Sequence, residues 1–317
     1  MRSLHRARIA TFGVFLALSS VVLVPVGASA AASHPAPPPG TCVPAEQFRA
    51  SNFGRSTRID NRFLPLKPGT QFVLEGVSNA TGQRLPHTVT FTVTDLVKLV
   101  DGVWNLVMWD VDISDGVLTE AELAFFAQDK ADNVWNTGEY PEEYEDGRFV
   151  GAPKTWISGQ RATPGIHMLA NPLARLGGPR YLQGYVPDID FLDCAQVFAA
   201  HQTARVPAAT YTNVLVTDET SPLDDPNAHQ RKYHAPGVGI VQVGAVGDPE
   251  GETLVLTKIN RLGAQALARA RAEALKLEQR AYRISRDYRS TAPAFQCIPL
   301  SALGKLLPGQ VEAMACP

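Results

Sequence analysis

The sequence predicts a mainly β fold: an antiparallel curved sheet or partial barrel with one long C-terminal α-helix. Three observations predict it. From about Ile59 to Ile259 the chain runs in short stretches rich in Val, Thr and aromatic residues, with alternating polarity and Gly, Pro, Asn or Asp between them. Consecutive stretches are joined by short connections, which suits antiparallel meanders, because parallel pairing needs a crossover helix after each strand. Only one segment, 264–288, carries apolar residues at spacings of three and four.

The elements follow in order. Arg2, Arg6 and Arg8 precede an apolar run from Ile9 to Val26 that ends in Ala28-Ser29-Ala30, the pattern of a secretory signal cleaved near Ala30. Ser19, Ser20 and Pro25 interrupt that run, which leaves it short of the ~20 apolar residues of a membrane span. A stable transmembrane anchor is therefore not expected. Residues 31–58 form a Pro-rich leader and N-terminal arm. Its stretch from Ala31 to Gly40 has too little apolar content to pack, so it is expected to be extended and solvated.

Residues 59–262 are expected to form the β domain. Its strands are read as Gln71 to Val77, His87 to Leu96, Val103 to Asp112, Leu118 to Gln128, Asn133 to Glu139, Arg180 to Tyr185, Ala195 to Val206, Thr210 to Asp218, Gln230 to His234, Gly239 to Val243 and Thr253 to Ile259. In Thr88 to Thr94 the alternation points Val89, Phe91 and Val93 to the core and the threonines to solvent. Residues 263–289 form an amphipathic helix with seven Lys or Arg against three Asp or Glu. The alanines along its apolar stripe suit close docking on a sheet, and it lacks the large wedge of an interfacial helix. A cysteine-containing tail, 290–317, ends the chain. Cys42, Cys194, Cys297 and Cys316 form no CxxC pair, so in an exported chain they are expected as two disulfides, Cys42 with Cys194 and Cys297 with Cys316.

Composition limits function. Removing residues 1–30 takes away three arginines and no acid, moving the formal charge from −2 to −5. That balance gives no support for nucleic-acid binding. Asp115 to Leu123 looks like the second half of an EF-hand loop, but Val111 and Ile113 would fall where oxygen ligands belong. Asp115-Gly116 is better read as a hairpin turn. The loop from Ala127 to Trp135 is rich in Asp, and Glu139 follows it. No cofactor is predicted, and calcium is the one ion such an oxygen-rich loop in an exported chain could take. His229 and His234, five apart on a strand, do not share a helical face and lack an evident third ligand. No GxSxG, SxxK or HExxH sequence occurs.

The stretch from Phe126 to Glu139, FAQDKADNVWNTGE, resembles the signature AQDxxGNVWYFGE of a widespread family of exported bacterial proteins. Thr155 to Gly159 resembles its GSWxAG, Pro164 to Met168 its PGIIM, and Lys232 to Val241 its KYYAPGVGLV. The resemblance spans residues 59–260 and implies a β-rich fold without an established reaction. Three departures stand out: Asp132 replaces a glycine, Asn136-Thr137 replace an aromatic pair, and Gly184 sits where a glutamate is expected beside Tyr185.

Asp129, Asp132, Trp135, Glu139 and Trp156 are thus the candidate binding residues. Trp104 and Trp109 read as packing residues, and packing is also the first reading of Trp135 and Trp156. The expected role is non-catalytic binding of an apolar or amphipathic small molecule, or of a cell-envelope component, in the concavity of the sheet. The alternatives are a secreted hydrolase using Asp129, Asp132 or Glu139, with or without calcium, and a structural surface module.

Overall fold

The structure, a computed structural model, describes residues 34–79, 83–223, 227–248 and 251–297. The expected signal segment and cleavage site, and Cys316, lie outside them. The strands are β1 (Thr70–Ser78), β2 (Leu85–Val100), β3 (Val103–Ser114), β4 (Val117–Gln128), β5 (Val134–Glu145), β6 (Arg148–Gly151), β7 (Trp156–Ile157), β8 (Thr163–Met168), β9 (Tyr181–Val186), β10 (Phe191–Val206), β11 (Ala209–Thr220), β12 (His229–Ala235), β13 (Gly239–Val246), β14 (Thr253–Arg261) and β15 (Phe295–Gln296). The helix is α1 (Ala264–Ile284).

β1 pairs with both β14 and β2, so the sheet closes into a ring of twelve antiparallel strands, ordered β1-β14-β13-β12-β11-β10-β9-β8-β5-β4-β3-β2. β6 and β7 add to β5, and β15 adds to β2, outside the ring. Closure removes the open edges that an unclosed curved sheet would expose. Two-residue Asp-Gly turns make the hairpins β2–β3, β3–β4 and β5–β6, and Asp115 and Gly116 take φ of 51° and 78° as such a turn demands. Asp115-Gly116 is therefore a hairpin turn, as its sequence context predicts.

Several boundaries differ from expectation. β2 and β5 run several residues further than read. β6, β7, β8 and β15 were not anticipated, because they are short or, in Thr163-Pro164-Gly165, carry residues that obscure a strand pattern. The helix stops at Ile284, and Tyr288 belongs to a following 3₁₀ turn.

A ring of twelve strands is too wide for its own inward side chains to fill, since about eight strands already leave an interior just wide enough for them. Chain from outside the ring fills part of it. Ile59, Phe63, Leu64 and Leu66 pack with the buried Val93, Leu106, Phe126, Trp135 and Ile166 as one core cluster. The plug is shaped by polar side chains: Gln128 Oε1 accepts from the Asp60 and Asn61 amides, and Asn61 Oδ1 accepts from those of Phe63 and Leu64.

The outer face of β2, β3 and β4 carries a second apolar cluster with Leu96, Val107, Leu123 and Phe125, which Ala274, Leu277 and Ala281 of α1 cover. This docking explains a departure. Thr92 and Thr94 are buried and not solvated. Thr94 Oγ1 donates to Val107 O at 2.6 Å, and Gln71 Nε2 donates to Thr92 Oγ1 at 3.0 Å. Under α1 the fully buried Lys98 donates to Glu278 Oε1 at 2.9 Å, Tyr282 Oη at 3.0 Å and Ala292 O at 2.8 Å. Arg280 meets the buried Glu142 through two nitrogens, at 2.7 and 2.6 Å.

The leader also departs from expectation. From His34 onward it lies on the barrel, because polar contacts and a covalent link supply what its apolar content does not. His34 Nε2 pairs with Asp101 Oδ2 at 2.6 Å, Thr163 donates to Pro35 O, and the Phe48 ring meets that of Trp135 edge-on. The expected disulfide Cys42–Cys194 ties this arm to β10 across 152 residues of sequence. Cys316, the expected partner of Cys297, is not among the described residues.

Removing one member of a buried ion pair leaves an uncompensated charge. Lys98→Ala, which abandons Glu278, should lower unfolding free energy by about 3–5 kcal/mol. Lys98→Met combined with Glu278→Gln should cost clearly less, and urea denaturation of the two variants checks the difference.

Candidate functional site

Inside the barrel a cavity of about 230 Å³ remains beside the plug. Its apolar lining comes from Leu64 and Leu66 of the plug, Phe72, Val89 and Phe91 of β1 and β2, Met108 of β3, Ala124 and Phe126 of β4, and Ile240, Val243 and Leu254 of β13 and β14. Its polar lining is mostly acidic, with Asp110, Asp112, Glu120, Glu122, Glu139 and Glu252, together with Lys232, His167 and Gln230, and it adjoins the apolar lining directly, Asp110 standing beside Phe91 and Asp112 beside Val89.

The acids come together through strand register. On β3 and β4, Asp110 stands opposite Glu122 and Asp112 opposite Glu120. Like charges directly opposite one another destabilise a sheet. The turn alone would not make these pairs: Ile113 faces Leu118, and a bulge between Asp112 and Ile113 then shifts the register by one. That single residue turns the acids of both strands to the same side of the wall.

Some of these charges are compensated. His87 Nε2 lies 3.1 Å from Glu252 Oε2 and 3.7 Å from Asp112 Oδ2, and these two carboxylates raise its pKa to about 9 against the effect of burial. Lys232 pairs with Glu219 at 2.6 Å. Burial by itself would raise the Glu219 pKa, but Lys232 dominates the opposing interactions and holds it down at about 2. Glu139 accepts from Trp156 Nε1 at 2.9 Å and Asn136 Nδ2 at 2.5 Å.

Asp110, Glu120 and Glu122 have no such partner among the described residues. Asp110 is 7 % exposed, and its Oδ1 is buried without a hydrogen bond. Burial, followed by the surrounding carboxylates, pushes Asp110 and Glu122 well above the ordinary acid range. Burial also raises Glu120 to about 7, aided by Asp112, Glu139 and Glu143 and opposed by Lys154. His167 is driven the other way, to about 4, by burial and by Lys232.

The candidates read from sequence separate sharply. Glu139 lines the cavity, and Trp156, 1 % exposed, holds it from behind. Trp135 is buried in the interior core, and its Nε1 donates to Asp129 Oδ2 at 2.8 Å. Asp129 also accepts from the amides of Ala131 and Asn133 and from Asn133 Nδ2, so its oxygens organise the β4–β5 turn. Asp132 sits in that turn with φ of 74°, a conformation that suits the glycine of the signature, and its Oδ1 accepts from Gln128. The structure thus brings Glu139 to the cavity, with Trp156 holding it through a hydrogen bond, and leaves Asp129 and Asp132 at a turn outside it.

His229 pairs with Asp218 at 2.7 Å, whereas His234 is fully buried against Thr217, with its pKa lowered to about 3 by burial. They make no joint site, and no three His, Cys, Asp or Glu side chains among the described residues are grouped to hold a metal ion. At Gly184 a Cβ would lie 2.8 Å from the Phe191 ring, so the position of the expected glutamate is closed by that ring, which stacks near Trp156.

Sequence reasoning missed Asp110, Glu120, Lys232 and His167 as site residues, and saw Glu122 only as part of a failed calcium loop. A signal did exist. The four segments that carry the family resemblance meet here: Phe126 and Glu139 from the first, Trp156 behind Glu139 from the second, His167 from the third, and Lys232, Gly239 and Ile240 from the fourth.

Fold and site together define a closed antiparallel β-barrel with an apolar and acidic internal cavity. No protein-family model matches the sequence, and no curated protein matches it. The resemblance to the exported family therefore rests on its motifs, and the β-rich fold it implies is present. Two solved structures are similar in part. One, from Bacteroides fragilis, is described as exported with a YmcC-like fold; it shares 11 % identity at a TM-score of 0.31, over 63 % of this chain and 99 % of its own. The other, from Parabacteroides distasonis, is described as a lipoprotein; it shares 14 % identity at a TM-score of 0.31, with the same coverage. No helix among the described residues is long and apolar enough to cross a membrane.

Glu120 makes the strain of the site measurable. Its folded pKa of about 7 exceeds the ordinary 4.5, so the stability carried by its neutral form is complete below about 4.5 and is lost as pH rises through 7. Glu120→Gln stays neutral throughout. Relative to the parent it should be unchanged near pH 4 and more stable by roughly 1–2 kcal/mol at pH 8, or roughly 2–6 °C in Tm. Thermal unfolding across that range checks this, and a pH-independent difference would contradict it.

Proposed function

We propose that this chain is an exported, non-catalytic binding protein that holds an apolar or amphipathic small molecule inside its barrel. The observation that carries the reading is a concave space inside the barrel whose lining is largely apolar with a cluster of polar side chains, the usual composition of small-molecule sites. Its volume of about 230 Å³ lies somewhat below the usual 300–1,000 Å³, which favours a ligand smaller than a typical drug. The signal-peptide pattern places the protein outside the cytoplasm, secreted or at the cell-envelope exterior. There a binder of small hydrophobes, or of a small envelope component, has a role without any reaction.

The convergence of all four motif segments on the cavity supports the same reading. It gives Glu139 and Trp156 a place in the site and leaves Trp135 as a packing residue. Among the acids proposed for a hydrolase, only Glu139 reaches the cavity, because Asp129 is committed to its turn. That distribution favours the binder over the hydrolase.

N-phenyl-1-naphthylamine, a neutral dye whose emission rises in apolar surroundings, is the appropriate probe. Wild-type protein should bind it saturably and with enhanced emission. Ala124→Phe, which places a ring in the cavity, should weaken that binding at least about tenfold while circular dichroism shows the fold intact. Equal binding by the two proteins would place the dye elsewhere and contradict the reading.

A further inference from the structure

We infer that the ligand's polar end is cationic, a primary ammonium group seated between Asp110 and Glu122, so that the cavity takes small alkyl amines in preference to neutral or anionic amphiphiles. This inference rests on the binding function proposed above and assigns the chemical class of its ligand.

Asp110 lines the cavity, and its Oδ1 is buried without a hydrogen-bond donor. An unmatched buried acceptor carries the full cost of its desolvation, roughly 1–3 kcal/mol and more when charged. Such a group is kept where something else completes it. Without ligand these acids hold their protons, and a ligand that takes them as carboxylates must be a donor.

Charge narrows the choice. Glu122 stands directly across the ladder from Asp110, with Cβ atoms about 5 Å apart by the geometry of such pairs. Neither acid has a cationic partner, and Glu120 on the same wall has none either. His87 is engaged with Asp112 and Glu252, and Lys232 with Glu219. A hydroxyl could donate one hydrogen bond but brings no charge that would let both acids ionise, and an anion would oppose it. An ammonium group donates three hydrogen bonds and brings the missing positive charge.

A metal ion would supply charge as well, but the described residues offer no grouping able to coordinate one. Apolar residues adjoin the acids, with Phe91 beside Asp110 in the β2–β3 ladder and Phe72 and Met108 also lining the cavity, and they suit an alkyl chain in place of a hydrated ion. A charge-assisted hydrogen bond contributes about 1.5–3 kcal/mol, which corresponds to a preference of roughly 10–100-fold.

The test is displacement of bound N-phenyl-1-naphthylamine by octylamine, octan-1-ol and octanoate at pH 7.5, on the wild-type chain and on the Asp110→Asn/Glu122→Gln double variant. In wild type octylamine should displace the dye at a concentration at least tenfold lower than octan-1-ol, with octanoate weakest. In the double variant the amine should lose that advantage while octan-1-ol is unaffected. Dye binding by the variant establishes that its cavity is intact, and isothermal titration of octylamine alone gives the same comparison if the dye is lost. Octan-1-ol or octanoate displacing as well as octylamine in wild type would overturn the cationic assignment and leave the binding function standing. An amine preference that survived in the double variant would overturn the role of Asp110 and Glu122. If none of the three bound, the proposed function would fall with it.

Discussion

Pairing of β1 with both β14 and β2 decides what each of the other strands of the ring can do. Once the sheet is a ring, side chains alternate between a shared interior and an outer surface, and no strand can turn its inward face back to water. A polar residue at an inward position is then committed to the interior. In an open curved sheet the same residue would lie on a wet concave surface, and its charge would need no explanation. Closure converts the acids of β3 and β4 from ordinary surface residues into groups whose repulsion the fold must bear.

The barrel handles its wide interior in two ways. At one part the segment from Ile59 to Leu66 enters and packs with Trp135 and Phe126, held in shape by Gln128 and Asn61. At another it leaves space and surrounds it with carboxylates. The contrast between neighbouring acids is informative. Glu219 is stabilised as an anion by Lys232, and Asp112 and Glu252 share His87, but Asp110, Glu120 and Glu122 have no ion-pair partner and hold their protons above the usual range. Buried structural acids elsewhere in the chain do have partners: Glu142 has Arg280 and Glu278 has Lys98. The chain is therefore able to neutralise an acid it buries for stability, and Asp110, Glu120 and Glu122, which lack an ion-pair partner, share one cavity. Local conflict of this kind is expected at functional sites and is uncommon elsewhere.

The fold class was legible because period-two alternation and Asp-Gly turns are local signals, and strands such as β3, β4 and β11 lie within a few residues of where those signals put them. Ring closure was not legible, since it depends on the pairing of β1 with β14, almost two hundred residues apart. The outward threonines of β2 were misjudged because α1 covers that face, and a helix docked from far along the chain leaves no mark on the strand's own pattern. Glu139 and Trp156 were found through motif resemblance, whereas Asp129 and Trp135 were found with them but serve the turn and the core. The pairs Asp110–Glu122 and Asp112–Glu120 were hidden by one bulge. Counting outward from the Asp115-Gly116 turn without it sets Thr119 and Ala121 opposite the aspartates and sends both glutamates outside.

This barrel keeps one buried and two half-buried carboxyl groups, Asp110, Glu120 and Glu122, without ion-pair partners around an internal cavity. Carboxyl-carbon NMR of protein labelled at the Asp and Glu side chains, titrated from pH 3 to pH 9 without ligand, tests it directly. The account predicts that Glu120 titrates near pH 7 and that Asp110 and Glu122 hold their protons well above the usual carboxylate range, while Glu219 remains ionised down to about pH 2. Ordinary titration of Asp110, Glu120 and Glu122 near pH 4 would contradict it, because it would mean that these groups are open to water and that the wall they form encloses no site.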